Sequence, residues 1–327
     1  MISDDREAGE EVLVLVGPTA VGKTCIAIDV AREIGGEIVS ADARQVYRDM
    51  DIGTAKPTAS EQAQVRHHMI DVVDPTMQFS AGEYAHQARA MIQRLIAQGT
   101  VPVVVGGSGL YIRALLDGFF EGQGSDPDIR EALRRRVEEE GAPALHRVLR
   151  EVDPELADRL HPNDAQRIVR GLEVYYATGT PLSILQSRSP MPAPFTPVMV
   201  GFMRDRDTLY RRIEERVDRM IEQGLIEEVR ALAQRGYGPH LYALRTVGYK
   251  EVFPYLEGKR GLPETIAEIK RNTRRYAKRQ LTWFRREQRI WWLDAGGDHR
   301  HLVKSIVRRF LRERKDPGIG FLSIPRG

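Results

Sequence analysis

The segment that most restricts how this chain can fold is residues 17–24, which read G-P-T-A-V-G-K-T and have the spacing G-x-x-x-x-G-K-[ST]. An apolar run at residues 12–16 precedes it, and a helical pattern at residues 25–34 follows it. Between a strand and a helix, these glycines let the backbone wrap around an anion, while N–H groups and the helix N-terminus supply partial positive charge. Lys23 adds a full charge, and the Thr24 hydroxyl suits a Mg²⁺ ion that is shared with phosphate oxygens. The segment predicts a polyphosphate site but leaves open which compound carries the phosphates.

Five apolar runs predict the buried strands of an α/β protein. They lie at residues 12–16, 37–40, 101–105, 198–203 and 290–293. Helical patterns separate the first three runs, which indicates parallel strands joined by crossover helices. A shorter run at residues 69–73 predicts either another strand or an edge loop. Because ligands bind at the carboxyl ends of parallel strands, the segments 17–24, 41–47 and 106–111 should converge on one site.

Between residues 122 and 197 the pattern changes to helices, at residues 128–140, 142–150 and 164–178, between linkers rich in glycine and proline. We therefore predict an α/β protein with a P-loop parallel-sheet core and flanking helices, formed by residues 1–121 and 198–315. An all-helical subdomain is inserted at 122–197, and 316–327 form a loose C-terminal tail. A long amphipathic helix follows the fourth strand, with apolar residues at helical spacing: Leu209, Ile213, Val217 and Met220.

Cysteine content and hydropathy exclude several classes of protein. Cys25 is the only cysteine, so no intrachain disulfide can form. The sequence shows no signal peptide and no apolar run long enough to cross a bilayer, and we expect a cytoplasmic protein. His67 and His68 are adjacent and therefore point in different directions, so a zinc site is not expected there.

Positive charge is concentrated near the C-terminus, although the net charge of the chain is only +3. Residues 270–289 contain nine basic residues and one acid, Glu287, with Tyr276, Trp283 and Phe284 between them. A basic helix that carries aromatic side chains is typical of a surface that binds a nucleic-acid backbone. The alternative is a solvated helix face whose aromatic residues pack inward.

Eight segments in order resemble one family, the tRNA dimethylallyltransferases, also called tRNA isopentenyltransferases. They extend from the first strand to about residue 294 and read G-P-T-A-V-G-K-T (17–24), S-A-D-A-R-Q-V-Y (40–47), D-I-G-T-A-K-P (51–57), H-H-M-I-D (67–71), V-V-G-G-S-G-L-Y (104–111), H-P-N-D-A-Q-R-I-V-R (161–170), R-T-V-G-Y-K (245–250) and Y-A-K-R-Q-L-T-W-F-R (276–285). The resemblance implies transfer of a dimethylallyl group from its diphosphate to N6 of the adenine 3′ of a tRNA anticodon, with release of diphosphate.

The resemblance also implies roles for residues in the crevice. Asp42 would be the catalytic base that contacts the N6 amine. Lys23 and Thr24, with Mg²⁺ at Thr24, would neutralise the leaving group, helped by Arg212 or Arg216 from the amphipathic helix. The diphosphate would lie against Gly17, Thr19, Ala20, Val21, Gly22, Lys23 and Thr24. A monomer that clamps one tRNA is expected.

The tRNA contacts implied by the resemblance fall in four parts of the chain. Around the target base they are Asp42, Ala43, Arg44, Gln45, Ser108 and Arg130. In the inserted helices, which would clamp the anticodon stem, they are Gln166, Arg167, Ile168, Val169 and Arg170. The backbone would be held by Arg245, Thr246, Val247, Gly248, Tyr249 and Lys250, and by Lys278, Arg279, Gln280, Trp283 and Arg285. Ala43 and Ser108 depart from the usual serine and threonine of the family, which puts a polar contact at Ala43 in doubt.

Two other classes of protein remain open at this point. A small-molecule kinase or NTPase would use the same loop to bind ATP, but it leaves the basic segment and the other seven motifs without a purpose. A non-catalytic RNA-binding protein with a vestigial loop would have no reason to keep Lys23, Thr24 and Asp42 together.

Overall fold

The computed structural model describes residues 10–118, 126–187 and 192–315. The chain divides into two compact units, one bounded by Met1–Leu116 and Ala193–Gly327 and the other by Asp117–Pro192. The tail expected at 316–327 lies outside the described residues, as do residues 119–125 and 188–191, which contain part of each linker. In the described ranges, no helix is both long and apolar enough to cross a membrane.

The first unit is built on a six-stranded sheet in which every neighbouring pair is parallel, in the order β3-β2-β4-β1-β5-β6. The predicted α/β class and all five predicted strands are confirmed, with bounds that differ by at most two residues. The strands are β1 (Glu11–Val16), β2 (Gly36–Ala41), β3 (His67–His68), β4 (Val101–Gly106), β5 (Thr196–Met203) and β6 (Trp291–Asp294).

Helices cover both faces of this sheet, which is why its central strands are continuous apolar runs. Along β1, Val12, Val14 and Val16 pack into one core, while Leu13 and Leu15 pack into the other. The flanking helices are α1 (Lys23–Ile34), α2 (Ala59–Gln64), α3 (Ala81–Ala97), α4 (Gly109–Asp117), α10 (Arg206–Glu222), α11 (Leu225–Gln234), α12 (Phe253–Leu256), α13 (Leu262–Phe284) and α14 (His299–Lys315), with a short 3₁₀ helix at Ala243–Arg245.

At the edge of the sheet, the run at residues 69–73 forms a loop and not a strand. Met69 and Asp71 have φ angles of 62° and 56°, which an extended strand does not allow. The edge strand lies just before the loop, at His67–His68, and only Val73 forms an isolated bridge, with Tyr47. The loop alternative for this run is therefore the correct one.

In the described part of the second unit, all regular secondary structure is helical. Its helices are α5 (Pro127–Glu140), α6 (Ala142–Val152), α7 (Pro154–Arg159), α8 (Ala165–Thr178) and α9 (Leu182–Ser187). They bury a small core of their own, centred on Leu133, Leu145, Leu149, Ile168 and Leu172.

The predicted strand boundary at residue 198 is corrected by two residues, because Thr196 and Pro197 already belong to β5.

Candidate active site

The three loops that follow β1, β2 and β4 meet at one end of the sheet, as the sequence predicts. Ala43 N donates a hydrogen bond to Ser108 Oγ at 2.8 Å, which joins the second loop to the third. Gln280 joins the first loop to the third, because its amide accepts from Thr19 N and donates to Gly107 O, each at 2.9 Å. The loops therefore form one crevice, and α13 closes it through Gln280.

The phosphate loop has the conformation that its glycines were expected to supply. Gly22 has φ 109°, a region that L side chains rarely adopt. A Cβ at Gly17 would lie 2.9 Å from the Phe202 carbonyl oxygen on β5. Helix α1 begins at Lys23, directly after the loop, so its unpaired N–H groups are available to an anion.

Lys23 folds back over its own loop. Its Nζ donates to the carbonyl oxygens of Gly17 and Pro18, at 2.9 and 2.8 Å. Burial and the nearby Arg216 guanidinium lower the pKa of Lys23 to about 7, while Asp42 acts in the opposite direction. An anion in the loop would therefore restore the full charge on this lysine.

Three arginines contact three consecutive residues of the phosphate loop. Arg216 Nη1 donates to Thr19 Oγ1 at 3.3 Å, Arg212 Nε donates to Ala20 O at 2.9 Å, and Arg204 Nε donates to Val21 O at 3.0 Å. Burial, followed by repulsion from Arg212, lowers the pKa of both Arg216 and Arg204. This cluster of cations fits an anion that carries several charges.

Arg204 was missed by the sequence analysis, whereas Arg212 and Arg216 were predicted. Arg204 directly follows β5, the strand next to β1, so its place at the carboxyl end of a strand was the available signal.

Asp42 follows β2 directly and lies between the phosphate loop and the aromatic part of the crevice. Its Oδ1 accepts a hydrogen bond from Arg44 N at 2.8 Å, which holds the carboxylate in place. Its charge acts on Lys23 on one side. On the other side, burial and then the Asp42 charge raise the pKa of Tyr84 and of Tyr276. Asp42 is thus a carboxylate close enough to act electrostatically on both parts of the site.

The Thr24 hydroxyl offers one oxygen ligand for a metal ion, although the described residues alone do not form a metal centre. In the described part of the chain, no group of three or more His, Cys, Asp or Glu residues is placed to hold an ion. The Thr24 hydroxyl lies half-buried in the first turn of α1. Mg²⁺ is commonly held by one or two protein oxygens together with substrate phosphates and water, so this residue fits the ion.

Gln45 uses its side chain within its own loop. Its Oε1 accepts from Ser40 Oγ at 3.1 Å, and its Nε2 donates to Ala55 O at 3.0 Å. The amide that the resemblance assigned to tRNA is therefore engaged in holding the second loop against the segment that follows it.

The segment at residues 245–250 divides into exposed and buried positions. Arg245 and Lys250 are exposed, while Thr246 and Val247 are half-buried. Gly248 and Tyr249 are buried, and the Tyr249 hydroxyl donates to Glu228 Oε1 at 2.6 Å. The expectation that the Tyr249 side chain contacts tRNA is therefore corrected, because a fully buried ring cannot reach a bound macromolecule.

Glu228 joins the segments at residues 51–57 and 245–250. Besides the Tyr249 hydroxyl, its carboxylate accepts from the backbone N–H groups of Asp51, Ile52 and Gly53, at 3.0, 2.8 and 3.2 Å. A Cβ at Gly53 would lie 2.4 Å from the Tyr249 ring, so the glycine is required for this close approach. These contacts hold the two segments against each other.

The basic segment is helical only as far as Phe284, so the expectation of a helix through Arg289 is wrong. Two of its cations tie α13 to α10, through Lys270 with Asp218 at 2.7 Å and Arg274 with Glu214 at 2.6 Å. Gln280 is buried, and the Trp283 ring packs where a Cβ on Gly109 would clash. Arg271 is exposed and pairs with Glu268 on the same helix. The other exposed cations are Arg275, Lys278, Arg279, Arg285 and Arg286, and Trp283 is itself 37% exposed.

In the second unit, the predicted tRNA contacts also separate by burial. Gln166 and Arg167 are exposed, but Ile168 and Val169 belong to the core of this unit, so their side chains cannot contact RNA. Arg130 and Arg170 both bind the fully buried carboxylate of Glu173, at 2.9 and 3.1 Å.

Fold and site together define the class as a P-loop α/β protein in which a cationic phosphate loop lies beside a carboxylate. A family model described as IPP transferase matches residues 45–287. The chain belongs to this family. A tRNA dimethylallyltransferase of Syntrophobacter fumaroxidans is 48% identical over 309 residues, which cover 93% of this chain and 88% of the relative.

Solved structures support the same conclusion. A full-length tRNA isopentenylpyrophosphate transferase from Bacillus halodurans is 40% identical, with a TM-score of 0.71 and coverage of 94% of this chain and 97% of the other. A eukaryotic dimethylallyltransferase, described as acting on tRNA, is 27% identical, with a TM-score of 0.77 and coverage of 94% and 79%.

Proposed function

We propose that this protein transfers a dimethylallyl group from dimethylallyl diphosphate to N6 of the adenine 3′ of a tRNA anticodon and releases diphosphate. The observation that carries the proposal is the position of Asp42, between a strongly cationic phosphate loop and an aromatic crevice. A group-transfer enzyme needs this arrangement, because the leaving group and the nucleophile must be held on either side of the reacting carbon.

The phosphate loop would hold the leaving group. As the bond between the allylic carbon and the diphosphate oxygen breaks, negative charge grows on the diphosphate. The loop N–H groups, Lys23, Arg212 and Arg216 would stabilise that charge. A Mg²⁺ ion held by Thr24 would supply Lewis-acid neutralisation of the same phosphate oxygens.

Asp42 would take the proton of the nucleophile. The new bond forms between adenine N6 and the allylic carbon while one N6 proton passes to the Asp42 carboxylate, so charge does not accumulate on the base. The adenine is normally stacked in the anticodon loop and must be turned out to reach this crevice. Arg44, Ser108 and Tyr276 would border it there.

The surface around the crevice would bind the RNA backbone. Lys278 and Arg279 are exposed on α13 beside Gln280, which reaches into the crevice. Exposed Gln166 and Arg167 of the second unit are the further candidates. We infer a cytoplasmic monomer that binds one tRNA, which a mass measurement of the free protein and of its tRNA complex would test.

Mass spectrometry of nucleosides tests the proposed reaction directly. Unmodified tRNA is incubated with the protein, Mg²⁺ and dimethylallyl diphosphate, then digested. We expect one adenosine per tRNA to gain a dimethylallyl group, and Lys23→Ala to abolish the gain without loss of tRNA binding. Parallel reactions with ATP instead of the allylic donor should leave the RNA unchanged. An unchanged tRNA in the complete reaction, together with ATP turnover, would replace the proposal by a phosphotransfer reaction.

A further inference from the structure

Tyr242 is a large aromatic side chain that the fold leaves exposed beside the crevice. Its exposed fraction is 44%, although the next two residues, Ala243 and Leu244, are fully buried. The buried pair belongs to the 3₁₀ helix at Ala243–Arg245, which fixes the backbone at Tyr242. The backbone at this position is therefore fixed while 44% of the residue stays exposed to solvent.

Arg44 stacks on this ring and connects it to the catalytic loop. The Arg44 guanidinium carbon lies 4.8 Å from the Tyr242 ring centroid, and Arg44 Nη1 donates to the Tyr242 carbonyl oxygen at 3.2 Å. The backbone N–H of the same arginine donates to Asp42 Oδ1. One residue thus contacts both the proposed base and the exposed ring, which places the ring at the edge of the crevice.

Two buried tyrosines of the core, Tyr47 and Tyr111, lie near Tyr242. Burial is the main cause that raises the pKa of both, and the Tyr242 phenol adds a smaller contribution in the same direction. Tyr242 is therefore the exposed member of a group of neighbouring tyrosines.

Other arginines in this protein also stack on aromatic rings, but those rings are less exposed than Tyr242. Among the described residues, an arginine guanidinium group lies over four half-buried residues: Tyr210, Tyr237, Tyr276 and Trp291. Another lies over Phe310, which is buried. Those rings pack against the protein. Tyr242 keeps free surface for a ligand.

We propose that Tyr242, backed by Arg44, is a stacking surface for a nucleobase next to the adenine that enters the crevice. This inference rests on the proposed function and adds a subsite to it. Single-stranded RNA loops are recognised by stacking of unpaired bases on aromatic and arginine planes, and a base has a flat face whatever its sequence. A held ring loses little conformational freedom when a base stacks on it.

The charges near Tyr242 match an RNA strand that continues past this base. Arg245, three residues further on, is exposed and is held by the carbonyl oxygens of Pro239 and His240, at 3.4 and 3.0 Å. Lys250 is exposed as well. Cations of this kind bind phosphates, so the same surface suits both a base and its backbone.

Steady-state kinetics with an anticodon stem–loop RNA tests the subsite. Because base stacking on an aromatic ring is worth about 5- to 150-fold in affinity, Tyr242→Ala should raise the KM for RNA by that factor and leave the KM for dimethylallyl diphosphate unchanged. Tyr242→Leu, which keeps apolar bulk without an aromatic face, should behave like Tyr242→Ala. Tyr242→Phe keeps the ring and should stay within about twofold of the wild type.

Two controls make the result specific. Tyr237→Leu removes a ring that also lies 4.8 Å from an arginine, Arg235, and should leave the KM for RNA unchanged. RNAs with an abasic site at each nucleotide flanking the target adenine identify the stacked base. At one of these sites, the abasic RNA should raise the KM of the wild type to the value that Tyr242→Ala has with intact RNA. The same abasic RNA should not raise the KM of Tyr242→Ala any further.

The outcomes separate the subsite from the reaction. If the wild type modifies the RNA but Tyr242→Ala has the same KM for it, the subsite is refuted and the proposed function stands. Equal losses in Tyr242→Phe and Tyr242→Ala, or no abasic site that removes the difference, would also refute stacking. A wild type that modifies no RNA refutes the proposed function and the subsite with it.

Discussion

Replacing Gln280 by leucine should loosen the phosphate loop without removing an RNA contact. Its side chain is 6% exposed and holds two backbone groups from loops far apart in the chain, Thr19 N and Gly107 O. Leucine has a similar size but no polar atoms, so both groups lose their partner. The lost contacts are internal, although the resemblance placed Gln280 on tRNA.

The magnitude follows from how buried each partner is. The bond to Gly107 O is buried, and a buried acceptor left without a donor costs about 1–3 kcal/mol. The bond to Thr19 N is only partly buried, so water replaces part of it and the loss is about 0.5–1.5 kcal/mol. We expect Gln280→Leu to lower the free energy of unfolding by about 1.5–4.5 kcal/mol.

Urea unfolding and steady-state kinetics measure the two consequences. The KM for dimethylallyl diphosphate should rise more than the KM for tRNA, because Thr19 belongs to the phosphate loop. Gln288→Leu is the matched control, since Gln288 is exposed, and it should change stability by less than about 0.5 kcal/mol. A Gln280→Leu protein of wild-type stability whose only defect is weaker tRNA binding would refute this reasoning.

Three further predictions concern charge. The pKa of Lys23 is lowered to about 7 in the free protein, so the binding of diphosphate above that pH takes up a proton. The affinity for diphosphate should therefore be greatest below pH 7 and fall by up to about tenfold per pH unit above it. Calorimetry in buffers of different ionisation enthalpy measures this uptake, which Lys23→Ala should lack. Asp42→Asn should lower the single-turnover rate by about 10²–10⁴-fold with little change in donor affinity, and a rate near that of the wild type would make Asp42 a positioning residue. Lys278→Ala with Arg279→Ala should weaken tRNA binding and reduce the slope of log affinity against log salt by about 0.7–0.9 per lost phosphate contact; filter binding at several salt concentrations gives the slopes, and identical lines for variant and wild type would mean that RNA binds elsewhere.

The sequence by itself determined the sheet and the phosphate loop. The strand at Glu11–Val16 is apolar at every central position because both faces of a parallel sheet are covered, and this leaves a continuous run that is visible in the sequence. The loop at 17–24 needs glycines at fixed positions for its backbone angles, and Asp42 follows its strand directly. These features depend on neighbours in the chain, so local patterns contain them.

Only the tertiary structure decided which residues of the recognised segments are exposed and which are buried. Within 245–250, Arg245 is exposed while Tyr249 is buried, although both belong to one motif. Gln280 contacts Thr19 across 261 residues of chain, and Arg204 reaches Val21 across 183. Tyr242 has no pattern of its own in the sequence, and its exposure depends on how Ala243 and Leu244 pack into the core. Burial and long-range contacts arise from the packing of distant segments, which a local pattern does not encode.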